Sequence, residues 1–205
     1  MKSRESHEMN TGNEGKMLLH ACCAPCAEYP VSDLLSKSIR PDILYYNPNI
    51  HPKFEFERRR DQIVKLGQIY DLSCFYSDDF RMDDWLSKAW EGQYDSRCDM
   101  CYFIRMDYVA RYAKEHGYDS FGTSLLVSPY QQHDKIASIA NACAKKYAVD
   151  FAYYDWRPHF REGQAMAREH GLYRQKYCGC IYSLNDSEFK EKIISGFPDS
   201  WEASR

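Results

Sequence analysis

Apolar and polar positions follow two different periods along the chain. Short apolar runs, several of them too continuous for a sheet with one face in water, predict five strands at 16–21, 41–47, 72–77, 120–126 and 150–156. Between these runs, apolar residues recur at helical spacing, and this spacing predicts helices at 53–70, 98–117 and 131–147. Strands that alternate with helices indicate βαβ units, so the pattern predicts an α/β fold with helices on both faces of a parallel sheet.

Chain length and net charge further limit the possible domain organisation and binding partners. The 205-residue chain has the size of one domain, and we expect a flexible leader at 1–15 followed by a single domain at 16–205. No signal-peptide pattern and no long apolar run occur, so we expect a cytoplasmic protein without membrane attachment. Because the net charge is only −3, contact with nucleic acid requires a local basic patch.

The nine cysteines of the chain are the strongest indication of its chemistry. A reducing compartment disfavours disulfides and makes metal binding the better interpretation of a cysteine-rich chain. Two cysteines are assigned to the core, because Cys74 lies within a predicted strand and Cys143 lies on the apolar stripe of the 131–147 helix. In the 98–117 helix the predicted apolar stripe is Cys101, Ile104, Tyr108 and Tyr112.

The other seven cysteines fall into three motifs. The first motif, HACCAPC (20–26), follows the first strand, where parallel sheets place their ligands and where phosphate-binding relatives of this architecture carry a glycine-rich loop. Cys98 and Cys101 form a CxxC at the start of a helix, and Cys178 and Cys180 flank Gly179. Each motif alone is weak, but their sum predicts a metal site.

Seven thiols exceed the four that a zinc ion or a [4Fe–4S] cluster takes. We therefore predict one four-cysteine cluster beside a metal that has three thiolates and an open coordination position. Side chains of adjacent residues diverge in an extended chain, so we expect Cys22 and Cys23 to serve different centres.

Four segments in their order and spacing resemble the QueH family of epoxyqueuosine reductases. They are LLHACCAPC, RCDMCYFIRM, FGTSLLVSPYQQHDKI and DWRPHFREGQAMAREHGLYRQKYCGC, and the resemblance runs from about residue 17 to 183. It implies a Rossmann-like fold akin to the adenine nucleotide α-hydrolases, a [4Fe–4S] cluster with a second mononuclear iron, and reduction of epoxyqueuosine to queuosine at the wobble position of tRNA. This reduction is the last step of queuosine biosynthesis.

The resemblance also guides the assignment of the thiols. The family varies at the position of Cys26, which assigns Cys26 to the second iron; the division of the other thiols stays open. We predict that the ligands of the cluster are Cys22, Cys98, Cys101 and Cys178. We predict that the ligands of the second iron are Cys23, Cys26 and Cys180.

Reduction of an epoxide needs electrons and protons. The chain shows no nicotinamide or flavin motif, so we expect a low-potential donor such as a ferredoxin or flavodoxin. The loop after the fourth strand offers Tyr130, His133 and Asp134 as proton donors, and His133 titrates nearest neutrality. The alternative for this loop is structural, with Ser128 or Asp134 capping a helix and His133 facing solvent.

Binding of tRNA needs phosphate contacts. The segment 157–176 is basic and interleaved with aromatics, which suits phosphate binding and base stacking, and its candidates are Arg157, Arg161, Arg168, Arg174 and Lys176. The run ERRRDQ (57–62) is a second candidate. For both segments the alternative is a solvated helix face with ion pairs.

Two other functions fit parts of the pattern. An iron–sulfur tRNA-thiolating transferase would share the fold, but it needs a phosphate loop for ATP where HACCAPC stands. A zinc-stabilised RNA-binding module would use all seven thiols structurally. Absence of ATP binding separates the first from a reductase, and a protein that holds only zinc would favour the second.

Overall fold

The computed structural model describes residues 15–77 and 80–196, so most of the expected 1–15 leader lies outside the described residues. Five parallel strands form one sheet in the order β3-β2-β1-β4-β5. Their bounds are β1 Met17–His20, β2 Asp42–Tyr45, β3 Cys74–Tyr76, β4 Ser120–Thr123 and β5 Asp150–Phe151. All five predicted strands are therefore present, each shorter than its apolar run.

Eight α-helices connect and follow the strands in the described part of the chain. They are α1 Ala24–Ser36, α2 Lys53–Tyr70, α3 Met82–Trp90, α4 Arg97–Glu115, α5 His133–Tyr147, α6 Phe160–Glu169, α7 Ile181–Asn185 and α8 Lys190–Ile194. The three predicted helices are confirmed as α2, α4 and α5. The chain after α4 turns at Gly117, whose φ of +69° is accessible to glycine at low cost.

The helices cover both faces of the sheet, as predicted. Helix α1 packs against α2 and α6, and α4 packs against α5 in a second layer. This division follows from right-handed crossovers, because the chain moves from β1 toward β3 in one direction and then returns to β4 on the other side of β1. The core between the layers includes Leu18, Leu19 and Phe121, which are completely buried.

The strand order reverses beside β1, and that reversal locates the site. His20 at the end of β1 lies opposite Thr123 at the end of β4, and their side chains are hydrogen bonded, with 2.9 Å between His20 Nδ1 and Thr123 Oγ1. Helix α1 follows β1 in one layer and α5 follows β4 in the other, so the connections after these two strands lead to opposite faces of the sheet. A crevice at the carboxyl edge of the strands results, where this architecture binds ligands.

The buried core differs from the predicted core in two details. In α4 the deeply buried stripe is Tyr102, Met106, Val109 and Ala113, whereas Ile104, Tyr108 and Tyr112 are half-buried. Both sides of this helix are apolar, and its tyrosine side stacks on another ring, with 3.6 Å between the centroids of Tyr46 and Tyr108.

The two cysteines assigned to the core also differ from each other. Cys143 is buried, as predicted, but Cys74 is only half-buried because β3 is the edge strand of the sheet.

None of the helices in the described residues is both long and apolar enough to cross a membrane.

Candidate metal centre

Three thiols meet where β1 gives way to α1. Cys23 is the N-cap of α1, with an extended backbone (φ −167°, ψ 160°), and Cys26 lies in the first turn of the helix. The Sγ atoms of Cys22, Cys23 and Cys26 all lie within 4.8 Å of one another, and those of Cys22 and Cys23 are 3.9 Å apart. We call these residues the thiol triad. The expected divergence of Cys22 and Cys23 is therefore wrong, because the chain turns at the helix cap instead of continuing as a strand.

The triad fits a single metal ion. Metal–sulfur bonds of about 2.3 Å at tetrahedral angles put ligand sulfurs about 3.8 Å apart, close to the separation of Cys22 and Cys23. Among the described residues, no other three histidine, cysteine or acidic side chains bring their ligand atoms this close together. Thiolates also suit iron and zinc by their softness.

Polar neighbours hold the triad. The Ser124 hydroxyl accepts from the Cys22 backbone N–H (3.0 Å) and donates to Cys22 Sγ (3.4 Å), while Gln175 Nε2 donates to Cys23 Sγ (2.8 Å). Hydrogen bonds from the Cys23 and Cys26 thiols hold the pKa of Cys22 well below its usual range. Burial raises the pKa of Cys23, and the hydrogen bond to Cys22 raises that of Cys26. Cys22 is thus the first of the three to become a thiolate.

Four further cysteines form a second, wider group. Cys98 and Cys101 lie near the start of α4, and Cys178 and Cys180 lie in the loop before α7. Burial raises the pKa of Cys101 to about 12, and the charges of Cys178, Cys180 and Cys98 add to that rise. We call the four residues Cys98, Cys101, Cys178 and Cys180 the thiol quartet. The quartet is not among the groups of three or more described residues whose ligand atoms all lie within 4.8 Å of one another, so it differs from the triad in spacing.

The loop of Cys178 and Cys180 is fixed by the segment that precedes α2 and by α2 itself. Gly179 has φ +139°, and a Cβ there would lie 3.1 Å from Ile50 Cγ1 and 3.2 Å from Arg59 Nη1. Arg59 donates to the carbonyls of Cys178 (3.0 Å) and Tyr177 (3.2 Å). Only glycine fits at the centre of this CGC motif without strain.

Two buried arginines were missed by the sequence analysis. Arg59 and Arg105 are each 2% exposed. Arg59 pairs with Glu55 (Nε to Oε1, 2.8 Å), so the candidate phosphate-binding run ERRRDQ is wrong at its central arginine. The positions of both arginines along their helices indicate that they are buried. Arg59 lies between Phe56 and Ile63 on the buried stripe of α2, and Arg105 lies between Cys101 and Val109 on that of α4.

A cavity of about 550 Å³ joins the triad to Cys178 at the carboxyl edge of the sheet. Its wall holds both buried arginines, and its rim holds the exposed Tyr130 and Lys176. Asn49 Oδ1 and Gln175 Oε1 line it as buried acceptors that have no donor among the described residues. Buried acceptors without donors are costly, so this wall is suited to a ligand that presents N–H or O–H groups.

Comparison with known proteins identifies the family. The family model described as epoxyqueuosine reductase QueH matches residues 17–186. The chain belongs to the QueH family. A relative from Dehalococcoides mccartyi named epoxyqueuosine reductase QueH is 35% identical over 82% of this chain and 92% of its own. Relatives of the same name from Haemophilus influenzae and Thermotoga maritima are 34% and 32% identical, over 90% and 88% of this chain and over 77% and 96% of theirs.

The QueH chain also resembles solved structures. The U34-tRNA thiolase NcsA from Methanococcus maripaludis, described with its [4Fe-4S] cluster, superposes with a TM-score of 0.54 at 16% identity. The match covers 93% of this chain and 69% of the thiolase chain. At this identity the likeness concerns the fold alone, and it agrees with the predicted α/β architecture around a parallel sheet.

The three predicted proton donors of the QueH chain lie in different surroundings. Tyr130 is 83% exposed and lines the cavity rim. His133 is buried and hydrogen bonded to Tyr153 (Nε2 to Oη, 2.9 Å), and burial lowers its pKa. Asp134 is exposed in the first turn of α5. Neither His133 nor Asp134 is among the residues that line the cavity.

The basic candidates for tRNA binding lie on and around α6. Arg161 and Arg168 are exposed on that helix, and Lys176 is exposed at the cavity rim. Arg157 pairs with Asp155 (Nη2 to Oδ2, 2.6 Å), and Arg174 donates to Gln164 (3.0 Å). The segment therefore combines accessible cations with some of the ion pairs of the alternative interpretation.

Proposed function

We propose that this chain reduces epoxyqueuosine to queuosine at the wobble position of tRNA in the cytoplasm. One observation carries the proposal. A chain of the QueH family brings the thiol triad and Cys178 of the quartet to one cavity at the carboxyl edge of its sheet. The cavity offers buried acceptors for a nucleoside, and Lys176 at its rim offers a cation for the phosphates of an RNA chain.

The thiol spacing supports a division between two centres. We assign a mononuclear iron to the triad, because its sulfurs lie at single-ion distances. We assign the [4Fe–4S] cluster to the quartet, because four cysteines are the set that such a cluster takes. This assignment exchanges Cys22 and Cys180 relative to the one predicted from the sequence.

The reaction consumes two electrons and two protons. Both bonds from carbon to the epoxide oxygen break, a carbon–carbon double bond forms, and the oxygen leaves as water. When bound, the cluster supplies single electrons from a donor such as a ferredoxin or flavodoxin, and the second iron supplies Lewis acidity toward the oxygen.

The side chains of the cavity orient the substrate and supply a proton. Asn49 and Gln175 accept hydrogen bonds from the nucleoside through their unpartnered oxygens. The hydroxyl of Tyr130 donates a proton, since Tyr130 alone among the three predicted donors lines the cavity. His133 stabilises the start of α5 through its hydrogen bond to Tyr153. The Asp134 carboxylate lies in the first turn of the same helix, where its negative charge interacts favourably with the positive end of the helix dipole.

Electrostatics bring the tRNA to the rim. Arg161, Arg168 and Lys176 are exposed and take phosphates, while Arg157 and Arg174 give up an internal partner when they do so. Binding should weaken steeply with salt, with a slope set by the number of phosphates contacted. Lys176→Ala should weaken binding, whereas Lys145→Ala, an exposed lysine of α5 away from the cavity, serves as the control.

An anaerobic assay tests the proposal. The reconstituted protein is incubated with tRNA that carries epoxyqueuosine and with dithionite, and the nucleosides are analysed by mass spectrometry. Conversion to queuosine, with loss of one oxygen and without ATP, is the expected result. ATP-dependent incorporation of sulfur into the tRNA, or a protein that holds only zinc and leaves the nucleoside unchanged, would contradict it.

A further inference from the structure

Arg105 is a buried cation at the wall of the cavity. It is 2% exposed, and its Nε donates to the backbone carbonyl of Cys101 (3.1 Å). Within residues 15–77 and 80–196, no carboxylate forms an ion pair with it. Burying a guanidinium without a counter-charge is expensive, so natural proteins rarely keep one without a partner. A partner of another kind is therefore needed.

The other buried arginine provides the contrast. Arg59 is equally buried, but it has the Glu55 carboxylate at 2.8 Å and two loop carbonyls as acceptors. Its charge is satisfied within the protein. Arg105 has one backbone acceptor, and its side chain lines the same cavity.

The surroundings of Arg105 identify its partner. Although burial acts in the opposite direction, the negative charges of Cys101, Cys178 and Cys22 raise the pKa of Arg105. Cys101 and Cys178 belong to the quartet and Cys22 belongs to the triad, and both Cys22 and Cys178 line the same cavity as Arg105. Arg105 thus lies within electrostatic reach of both thiol groups at the cavity wall.

We propose that Arg105 is the counter-ion shared by the triad and the quartet, and that its charge raises the reduction potential of the cluster. The inference rests on the proposed function, because it requires thiolates that hold iron. A [4Fe–4S] cluster with four thiolates is anionic and becomes more so on reduction, and a nearby buried cation stabilises the reduced state. Arg105 is a positioning residue in this role and needs no contact with the substrate.

Redox titration of the cluster tests this role without an activity assay. The wild type, Arg105→Gln, Arg105→Lys and Arg40→Gln are reconstituted anaerobically, analysed for iron and sulfide, and titrated with EPR detection. Arg40 is an exposed arginine that pairs with Asp71, so its variant controls for loss of a surface charge. Arg105→Gln should shift the midpoint potential in the negative direction, while Arg105→Lys and Arg40→Gln should stay near the wild-type value.

Each outcome decides the matter. Arg105→Gln with full sulfide content and a wild-type potential would overturn the inference and leave the proposed function intact. Should Arg105→Gln fail to hold the cluster, Arg105→Lys decides. A loaded Lys variant with the wild-type potential supports the role of charge, and an unloaded one overturns it in favour of the hydrogen bond to Cys101. A wild-type protein without sulfide would contradict the proposed function itself, and with it this inference.

Discussion

The buried ion pair of α2 should be a major determinant of stability. Glu55 and Arg59 stand one helical turn apart with side chains 1% and 2% exposed, and their charged atoms are 2.8 Å apart. In Arg59→Met the carboxylate of Glu55 keeps only the Tyr173 hydroxyl at 3.2 Å, and the carbonyls of Tyr177 and Cys178 lose their donor. Removing one partner of such a pair costs about 3–5 kcal/mol.

Urea unfolding of the metal-free, reduced protein measures this cost. The same helix supplies a matched control, because Lys53 and Glu57 have the same spacing but are 52% and 44% exposed, with 3.9 Å between them. Lys53→Met should cost at most about 0.5 kcal/mol. The double variant Glu55→Leu/Arg59→Met should recover part of the loss, because no charge is left buried alone.

The double variant separates stability from function. It lacks the two hydrogen bonds from Arg59 that fix the loop of Cys178, so it should bind less iron and sulfide than the wild type even where its fold is restored. An Arg59→Met variant that loses less than about 1 kcal/mol would refute the reasoning, because a desolvated pair cannot be broken so cheaply.

Three further predictions concern the loop, the cavity and pH. Gly179→Ala should lower the iron and sulfide content, since φ +139° and neighbours at 3.1–3.2 Å strain any Cβ there; Gly92→Ala, which has φ +66° and open space around it, controls for backbone strain. Tyr130→Phe should lower kcat by about 10²-fold with tRNA affinity retained, and an unchanged kcat in single-turnover assays would remove its hydroxyl from the reaction. Burial lowers the pKa of His51 from 6.5 to about 4, so the unfolded chain binds the extra proton, and the free energy of unfolding should fall as pH drops from 6.5 to 4. His51→Gln should flatten that slope in urea titrations at each pH.

Periodicity along the sequence was sufficient for most of the fold. The five strands and helices α2, α4 and α5 follow from apolar spacing, because the three inner strands are largely buried and each of the three helices carries a buried stripe. Helix α1 escaped prediction because it begins inside the HACCAPC motif, whose small residues and proline are typical of a loop, and because Pro30 interrupts its pattern. Pro25 in the first turn is tolerated there, since that position needs no hydrogen bond from its nitrogen.

The sequence motifs predict where the cysteines of the site lie in the fold, but they do not predict which cysteines lie close together. Residue types and the strand-end rule placed the HACCAPC cysteines at the carboxyl edge of the sheet, where the structure has them. The grouping of Cys22 with Cys23 and Cys26 depends on a chain turn at the helix cap, which residue spacing does not reveal. Arg59 was interpreted as part of a surface charge run, although its position on the apolar stripe of α2 indicated burial.

Metal analysis of the anaerobically purified chain tests the central claim most directly. Iron, acid-labile sulfide and zinc are measured per chain, and the EPR spectrum is recorded after reduction with dithionite. The two-centre account predicts about five irons and about four sulfides per chain with the signal of a reduced cluster. One zinc per chain without sulfide would contradict it.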